Sequence, residues 1–342
     1  MRGLQILSTI FWLTFLPATL MASSKIDTIY FQSGDRVTGE VKSLENDLLR
    51  LSTDDAGTVS IEWTKVDSVF VRNRMRILLV NGEILYGMLL PSGVAKSCMI
   101  WGSAGDPKLV ALKNIIELSP IEEKFFNRLS GSISSGFSYT KASEVMTMNL
   151  NGSLIYLANK NRIETSYSGN VTSDPLGTTQ RQSGGLTFHR MLPKKWFLVS
   201  ELLAESNSEQ QLDLRTTFGL GAGNSIIRTN SSHFYVAAGI LTNRELSEGA
   251  TQNNIEGIVA ANYSVFIYDD PEVSFDISSN IIPSINNPGR IRSETESNLK
   301  WEVFNDFYLK WSFYYSFDSE PLAGGAEKSD WGITLLGLEY KL

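Results

Sequence analysis

A single cysteine and two histidines in 342 residues leave little material for several kinds of chemistry. One thiol cannot build an internal disulfide framework or a multi-thiolate metal centre. His189 and His233 lie far apart in the chain and offer no transition-metal site. Basic runs are missing too. The 30 Lys and Arg stand against 37 Asp and Glu, a net charge of −7, and the basic, aromatic platform that nucleic acid requires is absent. After residue 21 no apolar run approaches the roughly 20 residues of a membrane helix, which excludes a multispan helical membrane protein. It does not exclude a transmembrane β-barrel, whose alternating strands average to neutral hydropathy. No cofactor, metal site or catalytic residue is expected.

The start of the chain reads as an address. Met1-Arg2 supply a positive end, Leu4 to Leu16 are largely apolar, and Pro17 to Ser24 turn small and polar. That order is the one found in a secretory signal peptide, here spanning 1–24 and cut near Ala22 to Ser24.

Residues 25–120 carry an internal repeat of about 48 residues. Phe31 to Glu40 (FQSGDRVTGE) and Leu79 to Met88 (LVNGEILYGM) place glycines at matching positions, Gly34 and Gly39 against Gly82 and Gly87. Ser-Gly-Asp and Asn-Gly-Glu are tight-turn sequences. Each half is expected to be a small, strongly bent sheet of the Sm or SH3 barrel kind, the two packing as a periplasmic interaction module. Trp63 and Trp101 are expected in its core, with Cys98 an inert buried thiol. Residues 121–129 read as a linker or short helix.

From residue 130 the apolar period becomes 2. Phe307, Leu309, Trp311, Phe313, Tyr315 and Phe317 alternate with polar or amphipathic residues, and the same alternation runs through 292–303, 272–281, 162–171 and 255–267. Ordinary strands run about 5–6 residues, whereas these hold their period for ten or more, as a tilted membrane-crossing strand requires. Twelve strands are expected, starting near 130, 144, 161, 179, 195, 211, 232, 253, 272, 291, 306 and 330. Short turns alternate with longer loops, the latter placed near 174–178, 244–251, 283–290 and 318–329. At the C-terminus Leu336, Leu338, Tyr340 and Leu342 are apolar at every second position, the barrel-closing signal that assembly machinery reads. Trp196, Trp301, Trp311, Trp331 and Tyr340 suit interfacial girdles. The fold class is all-β, a transmembrane antiparallel barrel of about twelve strands over 130–342 with the tandem Sm/SH3-like module before it.

The segment from Gly131 onward, with its Gly- and Ser-flanked strands and its closing Leu-Glu-Tyr-Lys-Leu, resembles the salt-induced outer-membrane protein family. That is a barrel family of unknown function. The resemblance implies an outer-membrane barrel of a Gram-negative envelope and brings no established activity.

Parity places Arg162, Glu164, Arg181, Asp213, Arg215, Asp276, Glu294, Glu296, Lys300 and Glu302 on the interior face. Charges are tolerated there because water or ion-pair partners are at hand, and the lipid face penalises them. The row reads either as a selectivity-setting channel lining or as a hydrogen-bonded plug in a narrow barrel. His189 and His233 also face inward, and no Gly-x-Ser-x-Gly elbow is present, which speaks against a hydrolase. The leading expectation is a non-enzymatic, monomeric outer-membrane barrel. Its partners are lipid, the assembly machinery and an envelope component met through 25–120. A narrow pore or small-solute transporter is the second reading, an outer-membrane hydrolase the third.

Overall fold

The computed structural model describes residues 26–340 apart from 103–105, 122–127, 159, 210, 248, 269–270, 305–306 and 322–327. The expected signal peptide, most of the expected linker and Leu342 lie outside the described residues.

The first sheet comprises β1 (Asp27–Phe31), β2 (Arg36–Glu45), β3 (Leu48–Ser52), β4 (Thr58–Glu62), β5 (Val66–Leu79), β6 (Ile84–Pro91), β7 (Ser97–Gly102), β8 (Lys108–Ala111) and β9 (Ile115–Pro120). Their order is β4-β3-β2-β1-β5-β6-β7-β8, with β9 pairing β2 and β5. The glycine spacing in the sequence has two causes here. Gly34 and Gly82 take φ of 92° and 83° in the turns after β1 and β5, a region open to glycine at no steric cost. Those turns close alike, Phe31 N to Asp35 O at 2.9 Å and Leu79 N to Glu83 O at 2.9 Å. Gly39 and Gly87 serve close approach instead. A Cβ there would lie 2.6 Å from the Ser52 carbonyl oxygen and 2.4 Å from that of Trp101.

Matching 3-10 turns, Trp63–Lys65 and Leu112–Asn114, follow β4 and β8. They meet in the core, where the Trp63 indole N–H donates to the Leu112 carbonyl at 2.9 Å. Around them Ile29, Leu49, Leu51, Met75, Ile77, Leu89 and Leu118 are fully buried, and each such side chain contributes roughly 1.5–3 kcal/mol on leaving water. Trp101 is not among them. It is 51% exposed, because Cys98 and Ile100 take the core-facing pleat of β7 and Trp101 falls on the opposite one.

The second sheet has twelve strands in chain order: β10 (Leu129–Thr140), β11 (Val145–Ala158), β12 (Asn161–Asp174), β13 (Gly177–Met191), β14 (Trp196–Asn207), β15 (Leu212–Arg228), β16 (Ser232–Ser247), β17 (Ala250–Ile267), β18 (Val273–Pro283), β19 (Ile291–Phe304), β20 (Phe307–Asp318) and β21 (Ser329–Tyr340). Each sequential neighbour pairs antiparallel. The sheet curls around an interior, since the Arg181 guanidinium of β13 stands 5.3 Å from the Tyr314 ring centroid of β20. On β16 the sorting is strict. Ile240, Thr242, Arg244 and Leu246 are exposed, while Leu241, Asn243, Glu245 and Ser247 are buried inside.

The loop lengths depart from expectation. β12 and β13 are joined tightly, Asp174 pairing with Gly177, and so are β16 and β17, Ser247 pairing with Ala250. Period-2 strands continue through residues that look like loop, so the hairpins close later. The closing strand carries an irregularity. The exposed row is Trp331, Ile333 and Leu335, and an irregularity between Tyr308 and Lys310 leaves Leu336 across from Lys310 and Tyr340 across from Phe307. One extra residue in β21 shifts the phase, with Leu338 inside that irregularity.

The first sheet meets one end of the second, the near end. Glu117 of β9 faces Arg228 at 3.7 Å, Arg76 of β5 reaches the Met191 sulfur at 3.3 Å, and a Cβ on Gly82 would lie 3.2 Å from the Lys195 nitrogen.

Candidate functional site

At the far end of the interior, β14 to β20 hold a buried ion-pair network. Arg290, just before β19, donates to both Glu245 oxygens at 3.1 Å and to Asp318 at 2.6 and 3.0 Å. Arg292 forks onto Glu256 at 3.1 and 2.6 Å, the bidentate geometry that guanidinium favours. Arg215 joins Glu245 at 3.1 Å to Glu205 at 2.8 Å. Asn243 donates to Glu256 at 2.6 Å, and Asn254 to Asn243 at 2.9 Å and Glu245 at 3.2 Å. Arg290, Glu245 and Glu256 are at most 1% exposed. Such charges persist only when paired and hydrogen-bonded.

Farther toward the near end the same wall is filled by apolar groups. The Phe197 ring tip reaches Gly223, where a Cβ would be 2.3 Å from Cζ, and Leu241 lies over Gly219, where a Cβ would be 2.6 Å from Cδ2. Tyr235 meets Phe197 edge-on at 5.5 Å. The wall of β10 to β12 differs. Its interior positions Ser132, Ser134, Asn149, Asn151, Ser166 and Ser168 are short, hydroxyl- or amide-bearing and all exposed.

The expected interior charges fall in separate places. Arg215 belongs to the far-end network, and Glu294 stands 3.9 Å from Arg292 beside it. Arg162 pairs with Glu164 at 3.1 Å toward the near end. Lys300 binds Glu272 at 2.6 Å and lies 4.2 Å from the Tyr308 ring centroid, and Glu302 accepts the Glu272 N–H at 2.9 Å. Asp276 accepts from Ser264 and, at 3.2 Å, from Asn262. Arg181 stacks on Tyr314, Glu296 is exposed inside, and Asp213 is exposed at the far end of β15. His189 and His233 sit on interior strand faces near Phe197 and Phe266, with ring centroids 6.3 and 5.9 Å away.

Sequence reasoning missed Glu245, Glu256, Arg290 and Asp318 as a group. Asn243-x-Glu245-x-Ser247 and Asn254-x-Glu256 carry the period-2 signal, but 244–251 and 283–290 look like loops in the sequence.

The model of a family described as a protein of unknown function, DUF481, matches residues 133–341. The chain belongs to the DUF481 family. Among curated proteins none matches it. A solved structure of the NanC porin, in a rhombohedral crystal form, aligns over 63% of this chain and 98% of its own, at 12% identity and a TM-score of 0.37. The family description carries no salt response, so that part of the expected resemblance is not supported. The family match begins at Ile133 and ends at Glu339-Tyr340-Lys341, so it covers the curled sheet and leaves out the first one.

Proposed function

We propose that this DUF481 chain is a non-enzymatic outer-membrane barrel of a Gram-negative envelope. In this reading the leader is removed on export, and β10 to β21 close and cross the membrane. The first sheet, a tandem of Sm/SH3-like halves, rests on the periplasmic side, and its free surfaces meet another envelope component. The chain works as a monomer, inserted by the assembly machinery through its last strand. The observation that carries the reading is the parity sorting of side chains. Ile240, Leu220, Val259, Ile281 and Ile333 are more than half exposed on the outer face, while Arg215, Arg290, Arg292, Glu245 and Glu256 neutralise one another inside. A lipid bath favours that outer face and penalises charge on it.

The far-end network and the Phe197–Leu241 layer make the barrel an anchor with little open cross-section. The test is a planar-bilayer recording of the refolded mature chain. Inserted protein without steady openings supports the anchor. Steady, large openings would sink it. The exposed Ser and Asn wall of β10 to β12 favours the second reading, a narrow path for small solutes, and small, steady openings would establish that instead.

A further inference from the structure

The two halves of the first sheet provide their own comparison. Met88 pairs with Trp101 as Glu40 pairs with Ser52, and Met99 pairs with Leu109 as Arg50 pairs with Ser60. At equivalent positions on the outer face, one half therefore carries Glu40, Ser52, Arg50 and Ser60, and the other Met88, Trp101, Met99 and Leu109. The opposite face of β6 to β8 already supplies the core through Leu89, Cys98, Ile100 and Val110. This ribbon is thus apolar on both faces, and Trp101 and Leu109 are 51% and 53% exposed. Antiparallel sheets usually keep one face solvated, and a contiguous apolar patch of this kind marks an interaction site.

The patch joins an interface already described. Lys108, next to Leu109, binds Glu83 at 2.8 Å. Glu83 follows Gly82, which lies against Lys195 at the near end of the barrel. The next residue is Trp196, 51% exposed on the outer face. The β5–β6 turn therefore ties the start of β8 to the barrel rim beside an outward tryptophan, the level where a bilayer surface begins.

We propose that the outer face of β6 to β8 docks on the phospholipid surface beside the barrel. Trp101 and Leu109 enter the headgroup region, and the equivalent face of β2 to β4 stays in water. This rests on the membrane reading above. An amphipathic indole with a thioether and an aliphatic neighbour suits the interface.

The full mature chain, reconstituted in phosphatidylethanolamine/phosphatidylglycerol vesicles, tests it by nitroxide labelling at introduced cysteines. Cys98 is fully buried and does not compete for label. A label at Leu109→Cys should collide with oxygen more than with an aqueous nickel chelate, and one at Ser60→Cys should show the reverse. Adding Trp101→Glu should shift the 109 label toward the aqueous pattern. Ile240→Cys, 60% exposed on the outer face, reports insertion. If the 240 label is lipid-exposed and the 109 label aqueous, the proposal is overturned. If both are aqueous, the barrel reading itself fails.

Discussion

Arg290 and Glu245, 45 residues apart in sequence, meet through two hydrogen bonds of 3.1 Å with each side chain 1% exposed. Removing one member of a buried ion pair costs about 3–5 kcal/mol; without Arg290, Asp318 loses its guanidinium and Glu245 keeps only Arg215. Arg290→Met should therefore destabilise the folded barrel by that amount in a urea titration. Arg290→Met with Glu245→Gln should cost less than the two single losses added together. Simple additivity would show that the two side chains are not energetically coupled.

The glycines at the β2–β3 and β6–β7 contacts predict a second stability effect. A methyl at Gly87 would meet the Trp101 carbonyl at 2.4 Å, and one at Gly39 the Ser52 carbonyl at 2.6 Å. Neither neighbour is the loose end of a side chain, so the strands must part. Gly87→Ala and Gly39→Ala should each cost about 1–3 kcal/mol, the usual penalty of overpacking. A thermal midpoint unchanged from the parent in both variants would contradict the close approach.

The Cys98 thiol is fully buried, and burial pushes it up to about 12. Only the thiolate reacts, and at pH 8 almost none is present in the folded protein. Maleimide or iodoacetamide should leave native protein unmodified at that pH and label it only once denaturant exposes β7. Rapid labelling of the native chain at pH 8 would argue against this packing.

Trp63 supplies the fourth prediction. Its indole N–H is the donor for the Leu112 carbonyl at 2.9 Å, and the side chain is 3% exposed. Trp63→Phe keeps an aromatic ring but leaves that carbonyl without its donor, at a cost of about 1–3 kcal/mol. Chemical unfolding followed by hydrogen exchange at the two 3-10 turns should show both loosening together. Loosening confined to Trp63–Lys65 would show that the turns are not coupled.

The curled sheet was legible because period 2 is a local signal that every strand repeats. Phe307 to Phe317 reads directly as β20, and starts expected at 161, 232 and 291 coincide with β12, β16 and β19. The paired glycines of the repeat were legible too, although their two distinct causes emerge only from the backbone. The far-end network was not legible. Arg290 precedes its strand; Asp318 is brought beside it by the β19–β20 register, which pairs Arg292 with Asp318, and Glu245, three strands away, approaches only when the sheet curls. Trp101 was misplaced because an apolar residue between Ile100 and Gly102 looks like core, and only pairing shows which pleat β7 turns inward. The extra residue in β21 was not legible, since no periodicity reveals it.

β5 has a consequence for how the first sheet can be cut. It pairs with β1 through residues up to Phe70, and from Met75 to Leu79 it pairs with β6 and β9, with a register break between Val71 and Met75. A single continuous strand is thus the last member of one half and the first of the other. The halves are also tied across the break, by the Val71–Leu89 and Leu44–Leu118 pairings and by the Trp63–Leu112 hydrogen bond. Fragments ending or starting near residue 72 keep their own stretch of β5 but forfeit those ties and the shared core, so the pair persists or unravels as one cooperative body.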